Sequence, residues 1–331
     1  MTLLLGVDGG NSKVIALVAG VDGSIVGAAR RLGSADIYAS AGPEAAVALV
    51  EALVDEALAQ VGIGRGDISR AVFSMAGADW PEDHALLNQA FGAAGFGGPA
   101  TIVNDAIGAL TGAVPEGPAV VVSIGTGAAT GARGHDGSTW HSSFWQSPHG
   151  AVELAQRMLS AVARSELGID PPTRLRDRLL HITGDDTVEA VLHRNTGRDA
   201  ERPPPVGRMV RALLEAAVEG DAVAAGILRA HGSGLGATAA AAARRVRIAD
   251  TPFALSFCGG LTRLGTSALT QAALDEVHAA EQAPVIVAPR WEPAVGALLI
   301  GLRAELKTAL PDDVAARLDA SAPSASLYDV S

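Results

Sequence analysis

The chain has 331 residues, enough for two domains with separate cores, and 48% of them are apolar although only 4% are aromatic. A formal net charge of -11 argues against binding to nucleic acid or to an anionic membrane. The single cysteine excludes an intrachain disulfide and a cysteine-ligated zinc or iron–sulfur site within one chain, and it favours the cytoplasm.

The first part of the chain predicts a unit of three strands, a helix, a strand and a helix, completed by a further strand and helix. The three opening strands follow one another closely, with Asp22-Gly23 as a turn signal, and therefore form an antiparallel meander. The predicted strands lie at 3–7, 14–19, 25–30, 68–75 and 101–103, and the predicted helices lie at 43–62, 82–94 and 106–113.

A similar pattern restarts after residue 118, again with a strand, a glycine loop and a strand. The predicted strands are 119–124, 128–133, 253–257 and 285–288, and the predicted helices are 150–166, 186–194, 206–218, 221–247, 263–280 and 294–309. This repetition indicates an internal duplication. The polar, proline-rich segment 168–205 is expected to form a lid-like or surface insertion, and residues 311–331 a flexible tail.

Two glycine loops occupy corresponding places in the two units. In residues 8–13, Asp8 precedes two glycines whose N–H groups can approach an anion, and Lys13 adds positive charge. Asp8 can also hold a hydrated Mg²⁺. Residues 125–127 again follow an apolar strand. Each loop alone could be an ordinary β-hairpin, but the pair predicts a polyphosphate bound from both sides of an interdomain cleft.

Two further strand ends carry candidate chemistry. Gly259 and Gly260 leave a flat space in which a planar base could lie, although a tight turn between strand and helix would need the same residues. Asp105 follows Asn104 at the start of a short helix, where it could cap the helix or accept a proton from a substrate hydroxyl.

Five segments together resemble a known family. They are residues 8–13, 103–106, 125–127, 259–260 and 293–297. In order and spacing they resemble the N-acetylglucosamine kinase branch of the actin/hexokinase/Hsp70 superfamily, also named the BadF/BadG/BcrA/BcrD ATPase family. The resemblance implies an α/β fold of two duplicated actin-like (ribonuclease H-like) domains with an interdomain ATP cleft.

The resemblance also implies domain boundaries and site residues. The first domain would span 1–113 and be joined by the C-terminal helix near 294–309, and the second would span 114–293 with a helical insertion. ATP and Mg²⁺ would be cofactors, with Asp8 organising the metal through water and Asp105 acting as catalytic base on a sugar 6-hydroxyl. The nucleotide would meet Asp8, Gly9, Gly10, Asn11, Ser12, Lys13, Gly125, Thr126, Gly127, Gly259 and Gly260. The sugar would meet Ser34, Asp36, Gly77, Asp79 and Asn104.

Two departures from the family pattern concern the substrate. Asp36 stands where the family usually carries Asn, and the added carboxylate could suit a protonated amine, as in glucosamine. The usual Gly-Asp-Glu-Gly-Ser stretch is replaced by residues 140–150, which lack the acidic pair. We predict Gln146 and His149 as its substitutes in substrate binding.

These observations predict an amino-sugar 6-kinase, acting on N-acetylglucosamine or glucosamine, which is expected to form a homodimer as such kinases usually do. Alternatives are a kinase for another hexose or a muramic-type sugar, an ATPase activator of dehydratases, and a non-catalytic actin-like protein. Cys258 alone argues against the activator, which holds a cluster with cysteines from each chain. Neither a signal peptide nor a membrane helix is expected, because Asp8 and Lys13 interrupt the apolar N-terminal stretch.

Overall fold

The computed structural model describes residues 2–39, 41–198, 205–264 and 267–328. The first unit contains five strands and three helices. They are β1 (Leu3–Gly9), β2 (Lys13–Gly20), β3 (Ile25–Leu32), α1 (Gly42–Ala59), β4 (Ile68–Met75), α2 (Pro81–Gly92), β5 (Ala100–Asn104) and α3 (Asp105–Ala113). The strands form one sheet in the order β3-β2-β1-β4-β5, in which β1 to β3 are antiparallel and β4 and β5 run parallel to β1.

The second unit also contains a five-stranded sheet, with more helices around it. Its elements are β6 (Ala119–Ile124), β7 (Ala128–Arg133), β8 (Thr139–His141), α4 (Ala151–Glu166), α5 (Leu175–Thr183), α6 (Val188–Thr196), α7 (Val206–Val218), α8 (Ala222–Arg245), β9 (Phe253–Cys258), α9 (Ser267–Ala279) and β10 (Pro284–Ile286). Two helices follow, α10 (Pro293–Leu306) and α11 (Asp312–Ser321). None of the helices within the described residues combines the length and apolar character needed to cross a membrane.

The two sheets have the same topology. The second sheet has the order β10-β9-β6-β7-β8, so that β6 to β10 occupy the places that β1 to β5 occupy in the first. The strand directions agree as well, because β7 is antiparallel and β9 parallel to β6. The predicted duplication is therefore confirmed, and the two glycine loops are topologically equivalent β-hairpins.

The alternation of side chains in β1 explains how the first sheet is covered on both faces. Leu5 and Val7 join a buried cluster with α1, whereas Leu4 points to the opposite face and packs with Leu298 of α10. Asp8 follows Leu4 and Gly6 on that second face. The same alternation therefore directs the Asp8 carboxylate towards α10 and the second unit.

Helices α3 and α10 cross where the two units meet. A Cβ atom on Gly296 would overlap the carbonyl oxygen of Gly108, so the two backbones touch at this point. The neighbouring linker is bound by two arginines: Arg133 donates to the carbonyls of Val114 and Gly117 at 2.7 and 2.8 Å, and Arg303 Nη2 donates to the Pro115 carbonyl at 2.6 Å. Burial lowers the pKa of both arginines.

Two expectations about irregular segments differ from the structure. Residues 312–321 form α11, whose Val314 and Leu318 are buried against the first sheet, so the predicted flexible tail is folded over its described part. Within the predicted insertion 168–205, the structure places α5, which was not predicted, and α6, which agrees with the helix predicted at 186–194. Residues 199–204 lie outside the described part. The predicted domain boundaries remain predictions.

Candidate active site

The two glycine loops meet face to face. The hydroxyl groups of Ser12 in the first loop and Thr126 in the second are in direct contact. The side-chain nitrogen of Asn11 lies 3.8 Å from the position a Cβ of Gly127 would take. Loops that are more than 100 residues apart in sequence therefore converge on one place, as the sequence predicted.

The second loop rests on the first turn of α4. The N–H groups of Ala151 and Val152 donate to the carbonyls of Gly125 and Thr126 at 2.9 and 3.2 Å. A Cβ on Gly150 would overlap the Gly127 carbonyl oxygen. The first turn of α4 thus binds the carbonyls of the second loop. Position 150 must be glycine for this contact, which the sequence spacing did not reveal.

Two carboxylates lie next to the loops. Burial, followed by the charge of Asp105, raises the pKa of Asp8 from 3.8 to about 7, and Lys13 opposes the shift. Burial, followed by the charge of Asp79, raises the pKa of Asp105 from 3.8 to about 6. The site is therefore rich in negative charge, and a cation beside Asp8 would be favoured there.

Asp105 is fixed in place by its neighbour Asn104. The Asn104 side chain caps α3 by accepting a 3.0 Å hydrogen bond from the Ala106 N–H, while its amide nitrogen donates to Asp79 Oδ1 at 2.8 Å. The cap is thus Asn104, and Asp105 is the first helical residue. This leaves the Asp105 carboxylate available for chemistry, because it is not needed as the capping group.

The loops that were predicted to bind sugar are joined to one another. The Ser34 hydroxyl is 3.4 Å from Asn11 Oδ1 and accepts from the Asp36 N–H at 3.2 Å. Gly77 has φ of +78°, and a Cβ there would lie 2.6 Å from Asp36 Oδ1. Ser34, Asp36, Gly77 and Asp79 are therefore assembled at the same end of the first sheet as Asp105.

Four residues that the sequence did not single out complete this end of the site together with Phe144. They are Tyr38, Trp80, Asp83 and Ser143. The Tyr38 hydroxyl donates to Asp83 Oδ1 at 2.9 Å, and Asp83 Oδ2 accepts from the Trp80 N–H at 2.7 Å. Phe144 of the second unit packs edge-on to Tyr38, with ring centroids 5.3 Å apart, and parallel to Trp80 at 6.2 Å. Ser143 forms a hydrogen bond with Asp79 and has a φ of +42°.

A cavity of about 190 Å³ lies beside Trp80. It is lined by Asp79, Trp80, Thr139, Trp140, His141, Ser143 and Trp145. Aromatic walls with a few polar groups are typical of sites for small polar molecules. Asp79 on its wall accepts a hydrogen bond from Asn104, the residue before Asp105.

Gln146 and His149 do not join this assembly. Gln146 is 2% exposed, and its amide oxygen accepts from Thr130 and Ser142 at 2.8 and 2.7 Å inside the second unit. His149 is exposed, and its backbone contacts Glu153 and His231. Our prediction for these two residues relied on their position after the second loop, and the contacts of Ser143 point to that residue instead.

The Gly259 motif lies on the other side of the loops. Gly259 has φ of +96°, and a Cβ there would lie 2.5 Å from the Ile124 carbonyl oxygen, so a side chain is excluded. Cys258 is buried and its thiol pKa is raised to about 12, which makes it unreactive. Arg263, four residues after Gly259, pairs with Glu292 at 2.5 Å.

The model of the BadF/BadG/BcrA/BcrD ATPase family matches residues 5–301. The chain belongs to this family. A search of curated protein sequences finds no match.

Solved structures show the same fold. One, from Chromobacterium violaceum and provisionally assigned as an N-acetylglucosamine kinase, is 23% identical, with a TM-score of 0.67 over 91% of this chain and 99% of that one. A second of the same provisional assignment, from Porphyromonas gingivalis, is 15% identical, with a TM-score of 0.65 over 93% and 100%. A ROK family glucokinase from Streptomyces griseus, in complex with glucose and AMPPNP, is 18% identical, with a TM-score of 0.57 over 92% and 98%. The predicted fold class is confirmed.

Proposed function

We propose that the protein is an ATP-dependent sugar kinase that phosphorylates the 6-hydroxyl of an amino sugar, N-acetylglucosamine or glucosamine. The observation that carries this proposal is the contact between Ser12 and Thr126, which brings both glycine loops to one point beside Asp8 and Asp105. Family membership and the sugar kinases among similar folds support it.

Each part of the site has a role in this proposal. The glycine loops bind the phosphates with backbone N–H groups and Lys13. Burial and then the charge of Asp105 raise the pKa of Asp8, and a cation would relieve both effects, so Asp8 fits a hydrated Mg²⁺. The ion would neutralise phosphate charge when bound. Gly259 and Gly260 lie against the nucleoside.

Asp105 acts on the acceptor. Its carboxylate orients the sugar hydroxyl towards the γ-phosphate and accepts its proton as the phosphoryl group is transferred. A pKa of about 6 leaves the group ionised at neutral pH but more basic than an ordinary aspartate. The sugar binds in the cavity beside Asp79 and Trp80, the acceptor cavity. The aromatic residues around it exclude water, which would otherwise compete with the sugar for ATP.

Three carboxylates near the acceptor cavity bear on substrate choice. Asp36 and Asp79 each raise the pKa of Asp105, so a positive charge on the acceptor would relieve the repulsion between them. This favours glucosamine, whose amine is protonated near neutral pH, over a neutral hexose. Replacement of Asp36 by Asn should shift the preference towards N-acetylglucosamine.

A coupled assay of ADP release over a panel of sugars tests the function. We expect the highest kcat/KM for glucosamine or N-acetylglucosamine, with glucose and a muramic-type sugar as comparisons. The Asp105→Asn variant measures the background rate of ADP release that does not depend on phosphoryl transfer to sugar. A clear preference for glucose would refute the amino-sugar assignment. ADP release that no sugar stimulates would refute the proposed kinase activity.

A further inference from the structure

The C-terminal segment, residues 310–328, lies outside the family match, which ends at residue 301. Its helix α11 packs Val314 and Leu318 onto the face of the first sheet that also carries Leu4 and Leu17. Arg317 Nε donates to the carbonyl of Asp22 at 2.8 Å. The segment is thus attached to the first unit and is not a loose appendage.

After α11 the segment follows β3 towards the first glycine loop. The Ile25 N–H donates to Ser321 Oγ at 2.9 Å, and Arg30 Nη1 donates to the Ser326 carbonyl at 3.1 Å. Strand β3 ends at Leu32, which pairs with Lys13 at the loop. Each contact therefore brings the chain closer to the predicted phosphate site.

The path ends at Tyr328, which touches both units. Its carbonyl accepts hydrogen bonds from Lys13 Nζ of the first glycine loop and from Arg263 Nη1 of the second unit, the latter at 3.2 Å. The Tyr328 side chain is only 4% exposed. Two cationic side chains from opposite sides of the cleft thus converge on one oxygen atom of the C-terminal segment.

A second cavity, of about 290 Å³, lies beside this carbonyl. The second unit lines it with Cys258, Gly259, Thr262, Arg263, Pro289, Arg290, Trp291 and Glu292, and α10 adds Val295. The C-terminal segment lines it with Ala322, Pro323 and Tyr328. The cavity is therefore a space between the Gly259 motif and the C-terminal segment.

The internal duplication indicates what this cavity holds. The acceptor cavity is bordered by Asp79 and Trp80, which follow β4, and the second cavity by Gly259 and Thr262, which follow β9. Because β9 occupies in the second sheet the place of β4 in the first, the two cavities are equivalent positions on opposite sides of the glycine loops. With the acceptor on one side, the nucleoside lies on the other.

We propose that the C-terminal segment forms one wall of the nucleoside part of the ATP site, with Pro323 and Tyr328 as nucleotide-binding residues. The anchoring of the Tyr328 carbonyl by Lys13 and Arg263 positions this wall. Pro323 and the tyrosine ring supply apolar surface opposite the glycines and shield the nucleoside from water. The inference rests on the proposed function, because it places ATP between the loops.

Calorimetric titration with ADP in the absence of sugar tests the inference independently of the acceptor. We expect the Kd for ADP to rise about tenfold both in a chain ending at Ser321, which keeps α11, and in Tyr328→Ala. The matched control is Tyr38→Ala, the other tyrosine of the chain, which should change the KM for sugar and leave the Kd for ADP unchanged.

The outcomes separate the inference from the function. Unchanged Kd values in both variants would overturn the inference alone, and tighter binding by the shortened chain would overturn it by showing that the segment competes with ADP. Failure of the full chain to bind ADP would refute the proposed function, and the inference with it. Tyr328→Ala keeps the test decisive if the shortened chain does not fold.

Discussion

Asp8 offers a test of the site through stability, because its environment in the ligand-free chain is unfavourable for a charge. Burial is the main cause of its raised pKa, with the carboxylates of Asp105 and Glu292 adding to it and Lys13 opposing it. A carboxyl group with a higher pKa in the folded chain binds protons more tightly there than in the unfolded chain. The free energy of unfolding therefore falls as pH rises through the window from 3.8 to about 7.

The size of the effect follows from the shift. About three pKa units correspond to about 4 kcal/mol as an upper bound. Asp8 keeps some accessible surface, so water screens its charge, and we expect about half of this, roughly 2 kcal/mol, above pH 7. Asp8→Asn removes the charge, and should be about 2 kcal/mol more stable than wild type at pH 8 but only slightly more stable near pH 4, where the folded wild-type carboxyl is protonated.

Thermal unfolding without nucleotide or Mg²⁺ measures this difference. The Tm of Asp8→Asn should exceed that of wild type by about 4 °C at pH 8 and by about 1 °C at pH 4. Asp250→Asn, at an exposed turn position, is the control and should change little. A variant less stable than wild type at pH 8, or a gain that does not depend on pH, would refute the electrostatic reasoning.

Three further variants test the acceptor and phosphate sites. Asp105→Asn should lower kcat about a thousandfold in the ADP-release assay and leave the Kd for ADP within about twofold, because a carboxamide cannot accept the proton. Phe144→Ala should raise the KM for sugar about tenfold with the KM for ATP unchanged, since its ring packs against two aromatic rings of the first unit. Gly150→Ala should raise the Kd for ADP at least tenfold, because its Cβ would displace the Gly127 carbonyl.

Gly150→Ala and Phe144→Ala each have a control elsewhere in the chain, and Asp250→Asn serves again as the control for Asp105→Asn. Gly226→Ala lies in α8, where a Cβ meets nothing within 4 Å, and Leu167→Ala removes a side chain that is 75% exposed. Both should behave as wild type. Normal turnover by Asp105→Asn, an unchanged sugar KM for Phe144→Ala, or normal ADP binding by Gly150→Ala would contradict the corresponding role.

The strands were predictable because their burial is visible in the sequence. Strands β4, β6 and β7 have the predicted bounds, since a glycine follows each of them within two residues, at Gly77, Gly125 and Gly134. Helices α5 and α11 escaped prediction because few apolar residues hold them, for example Leu175 and Leu179 in α5. So few apolar residues predict a helix only when the surface against which they pack is known.

The candidate active site likewise contains residues that could be predicted from the sequence and residues that could not. Glycine and aspartate at strand ends mark backbone requirements that are local, so the loops at Asp8, Thr126 and Gly259 could be identified. The contacts of Ser143 with Asp79 and of Phe144 with Tyr38 join residues far apart in the chain, and no local spacing encodes them. The contacts of Gln146 were not predicted either, because its position after the second loop does not show that its amide oxygen binds Thr130 and Ser142.

The backbone contact between Gly108 and Gly296 distinguishes positions that tolerate substitution from positions that do not. Side chains that line the entrances of both cavities can be substituted without moving these two helices, so substrate specificity can change during evolution. A substituent at either glycine would push α3 and α10 apart, so this contact offers no side chain to change. Changes of acceptor are therefore expected among the residues that line the cavities, while the two glycines are kept.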